Sequence, residues 1–458
     1  MRQTFLIVLA GLCAVNLSNL WGFAQALAAE SPSALIVKFK ASQGARGLDS
    51  KLYQTAKPLV KALNLYLVKV KPGSSFSTGD ALTSLRHDPS VVFAQFDHKV
   101  KLRSFRDETT PNDPEFAKQW NLSSPQTHVD ISATEAWKLG KGGKDAAGND
   151  IVVAIVDGGM DVNHPDLVEN LWVNAKEIPG NGIDDDGNGF IDDIHGWNSG
   201  TDTGTVPSTA HGTHVAGIAG ARGNNGKGVV GVNWNVKIMA VAAPGEITST
   251  VIKAYGYVLA QKKLWLETHG AKGANVVSTN SSFGMDDADC TKGEYPAWND
   301  MYESMGKVGI LAAAATANNN VNVDVTGDVP TGCASSYIVS VTNTNSKDEK
   351  YPQAGYGLKT IALGAPGTAI YSTIPGGFGT MTGTSMATPH LAGAIAFLHS
   401  VASADFQKVA QSDPARAALI LKGILLRTVD KLPSLAGITI SGGRLNLAKA
   451  GQAIAAYH

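Results

Sequence analysis

A serine set among small residues, Gly383-Thr384-Ser385-Met386-Ala387-Thr388-Pro389-His390, opens an apolar run from Leu391 to Leu398. Small neighbours let a substrate carbonyl reach the hydroxyl, and a helix start offers unpaired N–H groups and a positive dipole end. Pro389 is tolerated only in a first turn, so a helix is expected to begin close to Ser385. Ser and Thr also cap ordinary helices, so the motif alone is equally a plain cap. Two other stretches decide the matter. Ile151 to Val156 reads as a buried strand and ends in Asp157-Gly158-Gly159, and His211 opens a small-residue helical pattern that runs to Gly220. Asp, His and Ser therefore occur in that order, each at the edge of a regular element, where α/β sheets place their ligands. Such a trio performs acyl transfer. The serine attacks, the imidazole takes its proton, and the carboxylate orients the ring and stabilises its charged form. An α/β-hydrolase would run Ser, Asp, His, and little chain remains after Ser385 to supply the rest.

The stretches VAIVDGGMDVNHPDL, HGTHVAGIAGA and GTSMATPHLAG resemble the three signature blocks of the subtilisin-like serine proteases, the subtilases. The resemblance runs from about Asn112 to the C-terminus. It implies an endopeptidase that hydrolyses protein or peptide substrates through Asp157, His211 and Ser385. The family usually has Ser or Thr directly after the aspartate, where this chain has Gly158, and one hydrogen bond to Asp157 is expected to be missing. A transpeptidase on the same scaffold, or a binding protein that has lost activity, would be the alternatives; the latter should lack a triad member, and none is lacking.

The elements that must hold these residues alternate. Strands are expected at Ile151–Val156, Val236–Ala240, Val276–Asn280, Ile310–Ala315, Ile338–Val341 and Thr360–Leu363. Helical patterns lie at Gly212–Ala221, Ser249–Glu267, Asp300–Val308, Thr384–Ser400 and Pro414–Thr428. Alternation of this kind implies an α/β fold, a mostly parallel sheet with helices on both faces. Ahead of it, Ala34–Lys40, Leu65–Val70 and Val91–Phe96 read as strands and Ala81–Leu85 as a short helix, a small α+β module. That module resembles the inhibitory propeptide of subtilases, a folding chaperone and intramolecular inhibitor. The expected division is a signal peptide over 1–28, a propeptide over 30–106 and a peptidase domain over 107–458, with the maturation cut between Arg103 and Thr110. No repeat or linker follows Leu445, so no appended domain is expected.

Arg2, the apolar stretch Phe5 to Val15 and the small residues around Ala24 to Ala28 form a secretory signal pattern too short to span a membrane. The protein is thus expected to be secreted, with no membrane partner. The 38 basic and 39 acidic residues nearly cancel and form no basic block, which speaks against nucleic acid. A monomer is expected. Cys13 leaves with the signal, and Cys290 and Cys333 then read as one disulfide of an exported chain.

Asp184-x-Asp186-x-Asn188-Gly189 has the alternating oxygen ligands of a loop wrapped round a hard cation, as in the first half of an EF-hand. The twelfth position is His195 and not a bidentate Glu, so Asp192 or Asp193 must close the shell. The expected calcium ligands are Asp184, Asp186, Asn188, Phe190, Asp192 and Asp193. Trp172 and Trp197 should pin the insertion. Resemblance alone implies a second calcium site at Asp166 and Asn225. It also implies a second oxyanion donor beside the Ser385 N–H: an asparagine after a buried strand, placed at Asn318 by counting back from Asp324, although Ala317 stands where the family has Gly. Ser282, Phe283 and Gly284 resemble the edge on which subtilases pair a substrate backbone. His164, His214 and His390 read as structural partners.

Overall fold

The computed structural model describes residues 34–40, 44–73, 75–98, 109–245 and 247–458. The signal segment, and residues 103–108 of the expected cut region, lie outside the described residues. Two compact units divide the chain, Met1–Phe105 and Arg106–His458.

In the first unit, strands β1 (Leu35–Phe39), β2 (Tyr53–Val60), β3 (Leu65–Val70) and β4 (Val91–Phe96) form an antiparallel sheet in the order β2-β3-β1-β4. Leu35, Val37 and Phe39 alternate inward and meet Leu82 and Leu85 of helix Thr78–His87. Ser77 and Asp80 close a capping box that starts this helix three residues before the sequence's apolar pattern does. Strand β2 is not legible in the sequence. Lys57 and Pro58 interrupt its pattern, which an edge strand tolerates because one side of it has no ladder to satisfy.

The second unit is built on a nine-stranded sheet in the order β16-β17-β13-β12-β10-β8-β5-β7-β6. Its members are β5 (Val152–Asp157), β6 (Gly196–Asn198), β7 (Lys237–Ala242), β8 (Val276–Ser281), β10 (Leu311–Ala315), β12 (Ile338–Thr344), β13 (Leu363–Pro366), β16 (Asp430–Lys431) and β17 (Gly443–Arg444). Every pairing within it is parallel except β16 with β17. The six expected strands are all present, the last shifted onto Leu363–Pro366. Along β5, Ile151, Val153 and Ile155 enter one core with the helix Thr384–Val401, while Val152, Ala154 and Val156 enter a second core with Tyr255, Trp298 and Tyr302. Both faces are covered, as a parallel sheet requires.

Two short ladders lie outside that sheet. Strands β9 (Met285–Asp286) and β11 (Asp328–Val329) pair antiparallel, and the hairpin β14 (Ile370–Ile374) and β15 (Gly377–Met381) leads into the helix Thr384–Val401. Cys290 and Cys333 form a disulfide across a separation of 43 residues. The chain-entropy account assigns such a closure about 4 kcal/mol. Among the described residues, two helices of nine residues went unread in the sequence, Ala404–Ser412 and Leu447–Ala455.

Candidate active site

The polypeptide runs out along β5 to one side of the sheet and returns through β8 on the other, so the carboxyl ends of these adjacent strands mark its switch point. Asp157 is the last residue of β5. Its Oδ2 accepts from His211 Nδ1 at 2.8 Å. Its Oδ1 accepts from the N–H of Gly158 at 2.8 Å, so the carboxylate keeps two donors despite the missing hydroxyl at that position. The helix carrying His211 runs from Ala210 to Gly220 and is capped by Thr209, whose Oγ1 accepts from Gly212 N. Gly212 has to be glycine, because a Cβ there would stand 1.8 Å from the Gly159 carbonyl oxygen and 3.1 Å from Asp157 Oδ1. Burial pulls the His211 pKa down, but the hydrogen bond and charge of Asp157 outweigh it, and the net shift is upward.

Ser385 is the second residue of the helix Thr384–Val401, of which every residue from Met386 to His399 is buried. Pro389 does not sit in the first turn as expected. It is the sixth helical residue, and its missing N–H leaves the carbonyl of Ser385 without an intrahelical donor. Ser282 Oγ donates to that oxygen. No hydrogen bond joins His211 to Ser385 among the described residues; Ser385 Oγ donates to the Ser282 carbonyl at 3.2 Å. Unliganded active sites are commonly this loose.

The three asparagines after β10 separate cleanly. Asn318 Oδ1 accepts from Thr384 N at 3.0 Å and Thr384 Oγ1 at 3.2 Å, which pins the side chain beside Ser385 and leaves Nδ2 without a protein partner among the described residues. Asn319 Nδ2 donates to Asp286, and Asn320 Oδ1 accepts from Lys350. The backbone N–H of Ser385 likewise has no partner among the described residues. Residues Ser282, Phe283 and Gly284 leave the end of β8 and form no ladder before β9, so their backbone is open to pairing.

In the acidic insertion, the structure brings together carboxylate oxygens of Glu177, Asp184 and Asp186, all within 4.8 Å of one another. Oxygens about 2.3–2.6 Å from one calcium ion would be spaced in this way, so this trio fits the ion. Glu177 was not singled out in the sequence, because it lies seven residues before the Asp184 repeat. The other expected ligands carry hydrogen bonds around this trio. Asp193 accepts from Asn174, Asn188, Tyr257 and Gln261. Asp192 accepts from the N–H groups of Asn181 and Gly182, and Asn188 Oδ1 from that of Phe190. The Phe190 ring packs edge-on to Trp197 and Tyr257. At the second expected site, Asp166 accepts from Asn225 Nδ2 and Val229 N, and Asp113 comes up alongside through Asn224 N. Burial raises the Asp166 pKa to about 6.

The remaining histidines hold structure. His164 and His214 bond carbonyl oxygens of the β14–β15 hairpin, and buried His390 bonds the Met386 carbonyl and Asn121.

A parallel α/β sheet with an aspartate, a histidine and a serine at the carboxyl edge, in that chain order, defines a class of serine hydrolases. The profile of the subtilase family matches residues 148–442, and the chain belongs to that family. It is 30% identical over 325 residues to subtilisin-like protease 1 of Plasmodium falciparum, covering 65% of this chain and 43% of the relative. The chain thus spans under half the length of that relative. An extracellular protease of Xanthomonas campestris is 28% identical over 401 residues, with 81% of this chain and 63% of the relative covered. Among solved structures, a protease of Pseudoalteromonas arctica shares the fold with a TM-score of 0.53 at 23% identity, over 75% of this chain and 99% of the other.

Proposed function

We propose that the chain is a secreted serine endopeptidase, made as a self-processing precursor, that hydrolyses peptide bonds through an acyl-enzyme on Ser385. The observation that carries this is Asn318, held next to Ser385 by Thr384 N and Oγ1, with its Nδ2 and the Ser385 N–H unpartnered among the described residues, together with the Asp157–His211 hydrogen bond. A substrate strand would pair with the backbone of Ser282 to Gly284. Ser385 Oγ then attacks the scissile carbonyl, His211 Nε2 takes its proton, and Asp157 stabilises the imidazolium. The charge developing on the carbonyl oxygen meets the Ser385 N–H and Asn318 Nδ2. His211 next protonates the leaving amine, and water repeats the cycle to release the acid.

Calcium acts as a structural ion in this reading, held by Glu177, Asp184 and Asp186, with Asp166, Asn225 and Asp113 as a second candidate group. Export follows from the signal pattern, and the extracellular name of the Xanthomonas relative supports it. No helix among the described residues is long and apolar enough to cross a membrane. The first unit is the intramolecular inhibitor, and its removal depends on Ser385.

A fluorophosphonate probe should label the mature protein at Ser385 alone, located by mass mapping, and Ser385→Ala should abolish labelling and accumulate the precursor. A mature protein that hydrolyses no peptide and takes up no probe would overturn the assignment.

A further inference from the structure

The amino ends of the strands, at the edge of the sheet remote from Ser385, border a cavity of about 510 Å³. Asn275 just before β8, Lys262 and Trp265 of the helix Thr248–Glu267, His399 of the serine helix, Gln407 and Asp145 line it. Lys262 is only 5% exposed. Its ammonium makes one hydrogen bond, to Asn275 Oδ1 at 2.6 Å, and lies 4.8 Å from the Trp265 ring centroid. Two of its three N–H donors are therefore unused, and no carboxylate pairs with it among the described residues. His399 is nine-tenths buried, and its Nε2 has no hydrogen-bond partner. The one carboxylate on the wall among the described residues, Asp145, is already engaged by the N–H groups of Ala147 and Asn149 and by the Asn149 amide.

Two basic side chains buried on the wall of one cavity, neither hydrogen-bonded to an acid among the described residues, cost stability unless something supplies acceptors. We propose that this cavity binds a small oxyanion, a carboxylate or phosphate, between Lys262 Nζ and His399 Nε2. The anion's oxygens take the two spare ammonium protons and one imidazole N–H, which a neutral ring donates as well as a charged one. Burial pushes Lys262 down to about 7 and His399 to about 3, the lysine's charge adding to the latter. In both, burial disfavours the charged form, which an anion reverses.

The test uses the chain carrying Ser385→Ala, which prevents self-digestion, matured in trans because this variant does not process itself. Sodium phosphate and sodium acetate are titrated in separate calorimetric runs near pH 6.5, against sodium chloride at matched ionic strength. Saturable one-site binding of one anion, weakened at least about tenfold in Lys262→Met and also weakened in His399→Gln, is the expected result. The stronger arm identifies the phosphate or the carboxylate as ligand. In the unsubstituted chain, reductive methylation of Lys262 near neutral pH should be slowed by that anion, a readout that survives if either variant fails to fold. No saturation in either arm, undiminished binding in folded Lys262→Met, or methylation indifferent to the anion would each overturn the site.

Discussion

The hydroxyl of Ser282 donates to the carbonyl oxygen of Ser385 at 2.8 Å, while the hydroxyl of Ser385 donates to the carbonyl oxygen of Ser282 at 3.2 Å. The two serines are latched in both directions. Asn280 Nδ2 donates to Ser282 Oγ at 3.0 Å, which commits the Ser282 proton to Ser385. Pro389 explains why a latch is needed, since the helix itself cannot satisfy that carbonyl.

Ser282→Ala should therefore leave a half-buried acceptor without its protein donor and cost about 1 kcal/mol of stability. Turnover should fall about tenfold as the nucleophile loosens, with KM little changed. Pro389→Ala restores an N–H to the Ser385 carbonyl, so the double variant should regain much of the stability. Thermal melts of the four proteins in a double-mutant cycle check this, and simple additivity would sink it.

Asn318→Ala should lower kcat by about 10²–10³-fold with KM little changed, because its amide serves a charge that exists only in the transition state. Asn319→Ala and Asn320→Ala should cost far less, since their side chains are bonded to Asp286 and Lys350. Each variant needs maturation in trans, so that failed processing is not read as failed catalysis. A large loss at Asn319 would contradict the geometry.

His211 accepts a proton only when neutral, and its pKa is shifted upward on balance by Asp157. The acid limb of kcat/KM should lie above 6.5, the ordinary imidazole value. Asp157→Asn removes the charge, so the limb should move to lower pH while the plateau drops steeply. The same upward shift gives the folded state an extra proton, adding stability at low pH that fades as pH rises past the folded pKa. A limb at or below the ordinary value, in a pH profile on one peptide substrate, would contradict the pairing.

Chelation should lower the melting temperature and hasten self-digestion, because an ion bound only by the folded form stabilises it by mass action. Glu177→Gln should reproduce most of that loss, as Asp184→Asn should, and Asp192→Asn should not. Melting in excess chelator, run on inhibitor-blocked protein, separates these outcomes.

Asp328 is 1% exposed, and burial pushes its carboxyl up to about 7, against hydrogen bonds from Thr316 and Thr331. A folded-state pKa above the unfolded one means the fold holds an extra proton between about 4 and 7, so this group's contribution to stability falls as pH rises through that window. Asp328→Asn should flatten that part of the stability curve. An unchanged slope in denaturant titrations of blocked protein would refute it.

The buried apolar strands β5, β8 and β10 were legible because their pattern is continuous; Asp157 stood at the end of one, and His211 and Ser385 at the starts of two small-residue helices. Strand β2 and the hairpin β14–β15 were not, because polar, glycine and proline residues break their period. Glu177 escaped for a different reason. Ligand spacing along one loop says nothing about a carboxylate that tertiary folding brings in from outside it. Pro389 misled in the same way, since the compensating donor, Ser282, lies 103 residues from Ser385 in sequence and becomes visible only when β8 and the serine helix are packed together.

A helix buried on all sides from Met386 to His399 has no solvent face on which residues can drift. Any enlargement there overpacks a core, and any reduction leaves a void. The nucleophile is thus carried by the segment with the least freedom to change, while the loops that approach a substrate keep theirs. Adaptation to a new peptide must then proceed by editing loops around a fixed serine, and a lineage that loses this helix's packing loses the fold before it can acquire another chemistry.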